Sequence, residues 1–393
     1  MWRIPLRTSG ALGVMAGLAF LSATGAAAQT PLKIGLVQSL TGAFNTVGKA
    51  AVDGAKLYVQ QHGDTVAGRK IQLIIKDDAT APDTAKRLAQ QLIVNDKVAI
   101  IGAGITPCAL AIAPLATEAK IPTVVMVSGA SVTVERSPYM VRTSFTLGQS
   151  ASVIADWAAK NGAKKIVTLV NDWAPGVESE EAFKDRAVKG GAQIVQSLRV
   201  PLANPDFAPF LQRARDLGPD TLFVGFAGNV AGVFTRQFLE RGMDKAGIRI
   251  VSLGDLADDD DLPGMTDAML GIVSAHHYSA LHDSALNKGY VRDFTAAYRR
   301  RPNFITVGGY DGMHLIYEAL KKTGGKTDGD AMVAAMKGMA WESPRGPMSI
   351  DPETRDVVHN EYIRKVERVN GELYNVEFAT VEAVKDPIKA AKK

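Results

Sequence analysis

Cysteine is nearly absent from this chain of 393 residues, which contains only Cys108. A single cysteine excludes an intramolecular disulfide and any zinc site built from several cysteines. A strong surplus of one charge is also missing, because the formal net charge is +4 and the one tight basic cluster is residues 299–301. Such a small and dispersed surplus argues against a nucleic-acid partner.

Long hydrophobic runs are lacking too, since no segment approaches the ~18 unbroken apolar residues of a spanning helix. A shorter apolar stretch, from Ala11 to Leu21, follows Arg3 and Arg7 and precedes three alanines that end at Ala28. This order is typical of a secretory signal peptide with its cleavage site. We therefore predict that residues 1–28 are removed and that the mature chain is a monomer in a periplasm, without a lipid anchor.

The mature sequence alternates apolar runs rich in Val and Ile with helical patterns, as in LKIGLVQSL (32–40) before a helical period at 48–61. Continuous apolar strands are expected in a parallel sheet that is covered on both faces. One series of strands and helices ends near residue 146 and a second ends near residue 276. The pattern predicts an α/β protein with two doubly wound, Rossmann-like lobes.

After the second series, helical patterns predominate, and an alternating segment surrounds Asn370-Gly371, which is a strong hairpin signal. The helices are too few for a third domain, so we predict that they complete the first lobe. The predicted division is lobe 1 at 29–146 and 277–356, and lobe 2 at 147–276 and 357–393. Short crossings between the lobes favour a hinge over a flexible tether.

Ligands of open α/β sheets bind beyond the carboxyl ends of the strands, so the residues there are the candidates for a site. Gly102 and Gly104 follow one strand, but Pro107 stands where a dinucleotide fingerprint needs its third glycine. Thr106 begins the next helix, whose free amides and positive dipole end could hold a carboxylate. The alternative is that Thr106 only caps that helix.

The next strand ends in the small polar residues of SGAS (128–131). Ser128 and Ser131 could donate hydroxyl hydrogen bonds, while Gly129 and Ala130 let a ligand approach the backbone. A turn that binds nothing is the alternative. Neither serine lies in a G-x-S-x-G motif, so the sequence does not support a nucleophile elbow, and we predict no enzymatic activity.

Aromatic residues follow the first strand of each predicted lobe. Phe44 and Asn45 lie after the first, and Trp173 lies in NDWAPG after its counterpart in the second lobe. Aromatic side chains supply apolar walls to a cleft, although Trp173 could instead pack into the core of its lobe. Tyr310 begins a helix and could point at the cleft or at the hinge.

Acidic residues concentrate in SLGDLADDDD (252–261). Asp255 follows the end of a strand and should face the cleft, where it could pair with an ammonium group. The run Asp258 to Asp261 lacks the spacing of a calcium loop and is expected to be a solvated surface loop. His276 and His277 are neighbours in a strand and should point to opposite faces, so we predict no metal site and no cofactor.

KIGLVQSLTGAFNTVGKAAVDGAKLYV, VAIIGAGITPCALAIAPLATEAKIPTVVMVSGAS and NDWAPGVESEEAF resemble the branched-chain amino-acid-binding proteins of ABC importers. These are type I periplasmic binding proteins, and the resemblance covers essentially the whole mature chain. It implies two Rossmann-like lobes, joined by three crossings, that close on a ligand about a hinge. It also implies an ABC transporter permease in the membrane as the partner.

The resemblance further implies the roles of particular residues. The family's contacts to the α-carboxylate and α-ammonium fall on Thr106, Gly129, Ala130 and Ser131, and its acid partner for the ammonium falls on Asp255. Its first-lobe aromatic wall falls near Phe44 and Val47, and a second-lobe aromatic position falls on Ala227 or its neighbour Phe226. Pro175 stands where amino-acid binders often have a tyrosine, which leaves side-chain selectivity open.

We therefore predict a periplasmic solute-binding component that captures a branched-chain or related hydrophobic amino acid and delivers it to the permease. The ligand docks on Thr106 and the 128–131 turn, and closure brings Trp173 and Asp255 over it. One alternative keeps the transport role for an aromatic or other small carboxylate or amide. The second alternative is a ligand-sensing receptor domain.

Overall fold

The computed structural model describes residues 1–2, 4–5, 30–202, 205–226 and 230–392. The predicted signal peptide, residues 1–28, lies almost entirely outside the described residues. Within this described part of the chain, no helix combines the length and apolarity that a membrane crossing requires.

The first sheet has six strands in the order β2-β3-β1-β4-β5-β6, and all neighbours are parallel except the short β2–β3 pair. Its strands are β1 (Leu32–Gln38), β2 (Thr65–Val66), β3 (Arg69–Asp77), β4 (Ile100–Ala103), β5 (Thr123–Val125) and β6 (Met140–Arg142). The connecting helices are α1 (Asn45–His62), α2 (Pro82–Gln91) and α3 (Thr106–Glu118). Leu36 and Val37 of β1 point to opposite faces and are both fully buried, as expected for a strand covered on both faces.

The second sheet begins with five parallel strands after α4 (Leu147–Lys160). These are β7 (Lys165–Asn171), β8 (Gln193–Val200), β9 (Thr221–Gly225), β10 (Arg249–Leu253) and β11 (Val273–His276). Helices α5 (Ala174–Lys189), α6 (Ala208–Leu217) and α7 (Ala231–Glu240) connect them. Two doubly wound sheets with helices between their strands confirm the predicted α/β fold.

The rest of the chain supplies helices to the first lobe and strands to the second sheet. The helices are α8 (Ala285–Tyr298), α9 (Phe304–Lys322) and α10 (Gly329–Met336), and a short α11 (Pro387–Ala390) ends the chain. The strands are β12 (Ala340–Ser343), β13 (Gly346–Ile350), β14 (Val357–Val369) and β15 (Glu372–Val384). Asn370 and Gly371 form the turn of the β14–β15 hairpin, both with positive φ, as the sequence indicates.

The predicted membership of residues 277–356 in lobe 1 needs one correction. Helices α8 and α9 pack on α1, but β12 and β13 hydrogen-bond into the second sheet beside β14. One edge of the long strand β14 is available to pair with β13. The backbone hydrogen bonds of β12 and β13 therefore place these two strands in the second lobe. The chain therefore crosses between the lobes three times, after β6, after β11 and after α10. In other respects the boundaries of the division stay a prediction.

Helices α1 and α9 approach so closely that glycine is required on both. A Cβ added to Gly54 would lie 1.9 Å from the Thr306 carbonyl oxygen, and one added to Gly309 would lie 2.0 Å from the Ala51 carbonyl oxygen. Because the neighbouring atoms are backbone, no side chain can rotate away. This contact fixes α9, and therefore its N-terminal residues, against the first lobe.

We expect Gly54→Ala to lower the free energy of unfolding by about 1–3 kcal/mol, because the added methyl group separates α1 from α9. Gly232→Ala in α7 is the matched control, since nothing lies within 4 Å of a Cβ built there. That control should be neutral or stabilise by up to about 1 kcal/mol. Urea denaturation measures both, and equal effects of the two substitutions would contradict the close approach.

Candidate functional site

A cavity lies between the lobes at the carboxyl ends of the strands, where ligands of such sheets bind. It encloses about 730 Å³, counting the part open to solvent, and residues of both lobes line it. Six residues predicted from the sequence lie in its wall: Phe44, Thr106, Ser128, Gly129, Trp173 and Asp255. The structure thus brings together residues that are up to about two hundred positions apart in the chain.

The first-lobe wall contains a chain of hydroxyl groups. Thr106 Oγ1 lies 2.8 Å from Ser128 Oγ, which lies 2.8 Å from Thr133 Oγ1. All three side chains are buried. Ile105 occupies the N-cap position of α3 and Thr106 is its first helical residue, so the interpretation of Thr106 as a simple cap is wrong. Its hydroxyl faces Ser128 at the cavity wall.

Three helices begin at the cavity. These are α3 at Thr106, α5 just after Trp173, and α9 just after Asn303. The Asn303 side chain accepts from the first amides of α9, whereas neither Ile105 nor Trp173 caps its helix with a side chain. The starts of α3 and α5 therefore present amides and positive dipole ends that an anion can use.

Aromatic rings form the apolar part of the wall. Phe44 of the first lobe stacks on Trp173 of the second, with ring centroids 5.7 Å apart. Phe145 and Phe304, which the sequence did not single out, pack edge to face at 5.4 Å and also line the cavity. Phe145 follows β6 and Phe304 opens α9. The position of Phe145 at a crossing and that of Phe304 at a helix start are the signals that would have identified them.

Asp255 is the second-lobe acid that reaches the cavity. Its side chain is 12% exposed, and Oδ2 lies 3.8 Å from Nε2 of His276. Burial raises the pKa of Asp255 to about 7, while its own backbone amide and the Arg364 guanidinium oppose this rise. The carboxyl group lies at the cavity wall, where a bound solute can form a hydrogen bond with it.

The prediction that Asp258 to Asp261 form a solvated loop is wrong. Asp258, Asp260 and Asp261 line the cavity, and Asp259 is 2% exposed with its carboxylate 3.7 Å from Arg364. The Asp258 carboxylate accepts from Asn303 Nδ2 at 2.9 Å. The loop folds inward because buried cations and amides compensate its charge.

The basic cluster at residues 299–301 supplies part of that compensation. Arg300 donates to Asp260 at 2.7 Å and to Asp53 of α1 at 2.9 Å, so one guanidinium joins a second-lobe acid to a first-lobe acid. Arg301 pairs with Glu372 and is 8% exposed. In the sequence, the basic cluster and the acidic run look like two independent surface features. In the structure, they form an ion pair through Arg300 and Asp260.

Five residues predicted for the site lie outside the cavity. Ala130 is buried in its turn, and Ser131 directs its amide to Glu178 and its hydroxyl to Asp386. The Asn45 side chain donates to the Gly42 carbonyl and stabilises a local turn.

The other two are aromatic residues of the interior. Phe226 packs between Phe207 and Phe234 at 4.7 and 5.1 Å in the core of the second lobe. The Tyr310 hydroxyl donates to Gln61 at 2.7 Å, on the α1–α9 contact. Phe226 directly follows β9, whereas Tyr310 lies inside α9 and does not begin it as expected, and core packing holds both side chains.

Behind Asp255 lies a buried cluster in which ligand atoms of His276, His277 and Glu361 fall within 4.8 Å of one another. The two rings are 4.4 Å apart, because β11 ends at His276 and the strand alternation no longer applies to His277. His276 Nδ1 accepts the backbone amide of His277 at 3.0 Å. A neutral ring bonded in this way presents N–H at Nε2 instead of a lone pair, which does not suit a metal ligand.

Comparison with known proteins agrees with this arrangement. A family model described as "Periplasmic binding protein" matches residues 31–372. A Leu/Ile/Val-binding protein homolog 6 of Brucella abortus (strain 2308) is 38% identical over 374 residues, which are 94% of this chain and 96% of the relative.

Two solved structures are similar over nearly their whole length. A solute binding protein of an ABC transporter from Rhodopseudomonas palustris BisB5, in complex with 3,4-dihydroxybenzoic acid, is 60% identical with a TM-score of 0.89, covering 91% of this chain and 99% of that chain. A solute binding protein from R. palustris in complex with 4-hydroxybenzoate is 37% identical with a TM-score of 0.89, covering 93% and 100%.

The buried Glu361 should make the stability fall with rising pH, because burial raises the pKa of its carboxyl to about 8. In the unfolded chain this carboxyl is already ionised near pH 6.5, so the folded state alone holds the proton. Between about pH 6.5 and 8 the free energy of unfolding then falls by up to about 1.4 kcal/mol per pH unit for this group, and the fall levels off as the pH passes the folded-state pKa. The buried histidines are neutral in both states over most of this window.

Glu361→Gln should flatten this decline, as measured by urea denaturation at several pH values. Glu367→Gln is the control, since that carboxylate is partly exposed and pairs with Lys365 on the same strand. Identical pH profiles for the wild type and Glu361→Gln would rule out a protonated Glu361.

Proposed function

The chain belongs to the periplasmic binding proteins and is a solute-binding protein of an ABC transporter, and we propose that its solute is a hydroxylated aromatic carboxylate of the benzoate type. The observation that carries the proposal is the arrangement of the cavity wall. Aromatic rings from both lobes line it, the uncapped start of α3 and two hydroxyls lie on the first-lobe side, and carboxylates lie on the second-lobe side together with the start of α5.

The aromatic rings suit a flat solute. Phe44 and Trp173 come from opposite lobes, and Phe145 and Phe304 pack nearly perpendicular to each other. Aromatic groups prefer offset-stacked and edge-to-face partners, and this wall offers faces and edges. A planar ring of six carbons fills such a space with more contacts than a branched aliphatic chain.

The carboxylate of the solute would bind at the start of α3. The Thr106 and Ser128 hydroxyls lie there, together with amides that no side chain caps. Within the described part of the chain, no lysine or arginine lines the cavity. Recognition of the anion then depends on helix dipoles and neutral donors, which hold a carboxylate without a counter-ion.

The ring hydroxyls of the solute would point to Asp255 and Asp258. Carboxylates accept hydrogen bonds from hydroxyl donors strongly, and their bonds are shorter than those between neutral groups. An unsubstituted benzoate has no hydroxyl group to donate to these carboxyl oxygens. The 60% identical Rhodopseudomonas protein was crystallised with a dihydroxybenzoic acid, which supports the solute class by analogy.

A hydrophobic amino acid is the second candidate, because Asp255 could pair with an ammonium group and the curated relatives carry Leu/Ile/Val-binding names. The amino-acid interpretation needs the 128–131 turn to supply polar contacts. Ser131 is instead engaged with Glu178 and Asp386, away from the cavity. The aromatic solute therefore accounts for more of the wall.

In the proposed cycle the solute docks on Thr106 and Ser128, and lobe closure brings Trp173 and Asp255 over it.

The family implies export to the periplasm, and we infer cleavage of the signal peptide near Ala28, a monomeric mature protein, and delivery to a membrane permease. The family and its structural neighbours are substrate-binding transport proteins, and we infer that this chain has no catalytic activity.

Isothermal titration calorimetry with 3,4-dihydroxybenzoate, 4-hydroxybenzoate, benzoate and leucine tests the solute class. We expect the hydroxylated acids to bind at least about tenfold more tightly than benzoate, because a hydrogen bond to a charged group contributes about 1.5–3 kcal/mol. Leucine should bind most weakly. Tightest binding of leucine would overturn the aromatic proposal in favour of the second candidate.

Trp173→Ala should weaken binding of the best aromatic acid by about 10- to 100-fold, the range for a large aromatic contact at a binding site. Trp157→Ala is the matched control, because Trp157 packs on Phe378 at the other side of the second lobe. It should change the affinity less than about twofold. Equal losses for both variants, with both folded by circular dichroism, would remove Trp173 from the proposed site.

A further inference from the structure

His276 lies directly behind the cavity and is fully buried. It does not line the cavity, but its Nε2 lies 3.8 Å from Oδ2 of Asp255, which does. At 3.8 Å the two atoms are not yet hydrogen-bonded, and neither has a hydrogen-bond partner among the residues that the structure describes. Two buried polar atoms without other partners are costly to leave unpaired, so each is the natural partner of the other.

The backbone determines where the proton of His276 resides. Nδ1 accepts the amide hydrogen of His277 at 3.0 Å and must therefore carry a lone pair. Burial and the guanidinium of Arg364 lower the pKa of His276 well below its ordinary value, which keeps the ring neutral. A neutral ring with a lone pair at Nδ1 has its hydrogen at Nε2, on the side of Asp255.

Packing holds the ring in this orientation. The His276 ring lies 4.2 Å from the ring of Phe304 and 5.2 Å from that of Phe145, measured between centroids. Gly254, next to Asp255, leaves the space for this approach, since a Cβ there would lie 2.1 Å from His276 Cδ2. The imidazole therefore touches the aromatic cavity wall on one side and the acid on the other.

A second pair of rings fixes the far side of the cluster. His359 Nδ1 lies 3.3 Å from the Arg345 guanidinium, so its Nε2 carries hydrogen and faces Glu361 Oε1 at 3.3 Å. His277 Nε2 lies 3.4 Å from the Phe304 carbonyl oxygen, which leaves a lone pair at its Nδ1. Glu361 lies beside this ring, with ligand atoms of the two residues within 4.8 Å of each other. Each ring then has one tautomer that satisfies its neighbours.

We propose that His276 is a positioning residue of the solute site, which donates from Nε2 to one oxygen of Asp255 and so reserves the other oxygen as the acceptor for a hydroxyl group on the aromatic solute. This inference rests on the proposed function and deepens it, because it assigns the selection of hydroxylated over unsubstituted rings to a residue that never touches the solute. Without the donor at His276 Nε2, the buried oxygen of Asp255 could be satisfied only if the carboxyl group were itself protonated. The orientation of the Asp255 side chain would then no longer be fixed.

The test compares His276→Ala and His276→Gln with the wild type, using calorimetry with 4-hydroxybenzoate and with benzoate. His276→Ala should weaken 4-hydroxybenzoate by about tenfold and benzoate by less than about twofold, as expected for loss of one charge-assisted contact. His276→Gln should recover most of the affinity for 4-hydroxybenzoate, because its amide can donate in place of Nε2. His282→Ala is the control, since that histidine pairs with Glu377 outside the cavity and should leave both affinities unchanged.

Two outcomes would overturn the proposal. Equal losses for the two solutes would show that His276 only supports the fold, and unchanged affinity for 4-hydroxybenzoate would show that Asp255 needs no donor. If His276→Ala does not fold, the affinities of His276→Gln and of the wild type for 4-hydroxybenzoate and benzoate are compared instead, and the same two outcomes apply.

Nitrogen-15 NMR of the imidazoles in the wild type separates this proposal from the proposed function. A neutral ring with hydrogen at Nε2 that shifts on addition of 4-hydroxybenzoate supports the proposal, and hydrogen at Nδ1 or a charged ring contradicts it. A wild type that binds leucine and no aromatic acid would refute the proposed function, while the tautomer of His276 would still show whether it donates to Asp255.

Discussion

The guanidinium of Arg345 joins the chain segments that connect the two lobes. It is fully buried and donates to the Asp311 carboxylate of α9 at 2.6 and 2.8 Å. It also donates to the carbonyls of Thr143 and Ser144, which follow β6. A buried charge that loses its partner costs several kcal/mol, so these segments must meet wherever the protein is folded. The relative position of the lobes, and with it the cavity, follows from that requirement.

Charge compensation also determines what the cavity can bind. Arg300 and Arg364 neutralise acids from behind the wall, and neither guanidinium lines the cavity itself. In the proposed binding mode the solute meets the start of α3 on the first-lobe side and carboxylate oxygens on the second-lobe side. A ligand that is an anion at one end and a hydrogen-bond donor at the other matches both sides, whereas a simple cation or a simple anion matches only one.

Local sequence patterns predict much of this fold and part of the site. The alternation of strands and helices predicts the two lobes, and the rule that ligands bind beyond the carboxyl ends of strands selects Thr106, Ser128 and Asp255. These two predictions are possible because each depends only on residues close in sequence. The same rule also selects Phe226, which packs into the core instead, since a strand end does not reveal which side a ring faces. The pairing of Arg300 with Asp260 and the place of β12 and β13 depend on contacts across the chain, which no local pattern contains.

The stacking of Phe44 on Trp173 has a consequence for how the protein can be observed. One ring belongs to each lobe, and their centroids are 5.7 Å apart across the cleft. Any separation of the lobes exposes the indole to water and changes its emission. The protein therefore contains an intrinsic fluorophore at a contact between the lobes, so a separation of the lobes can be followed in unlabelled protein and the site could be adapted as an optical sensor.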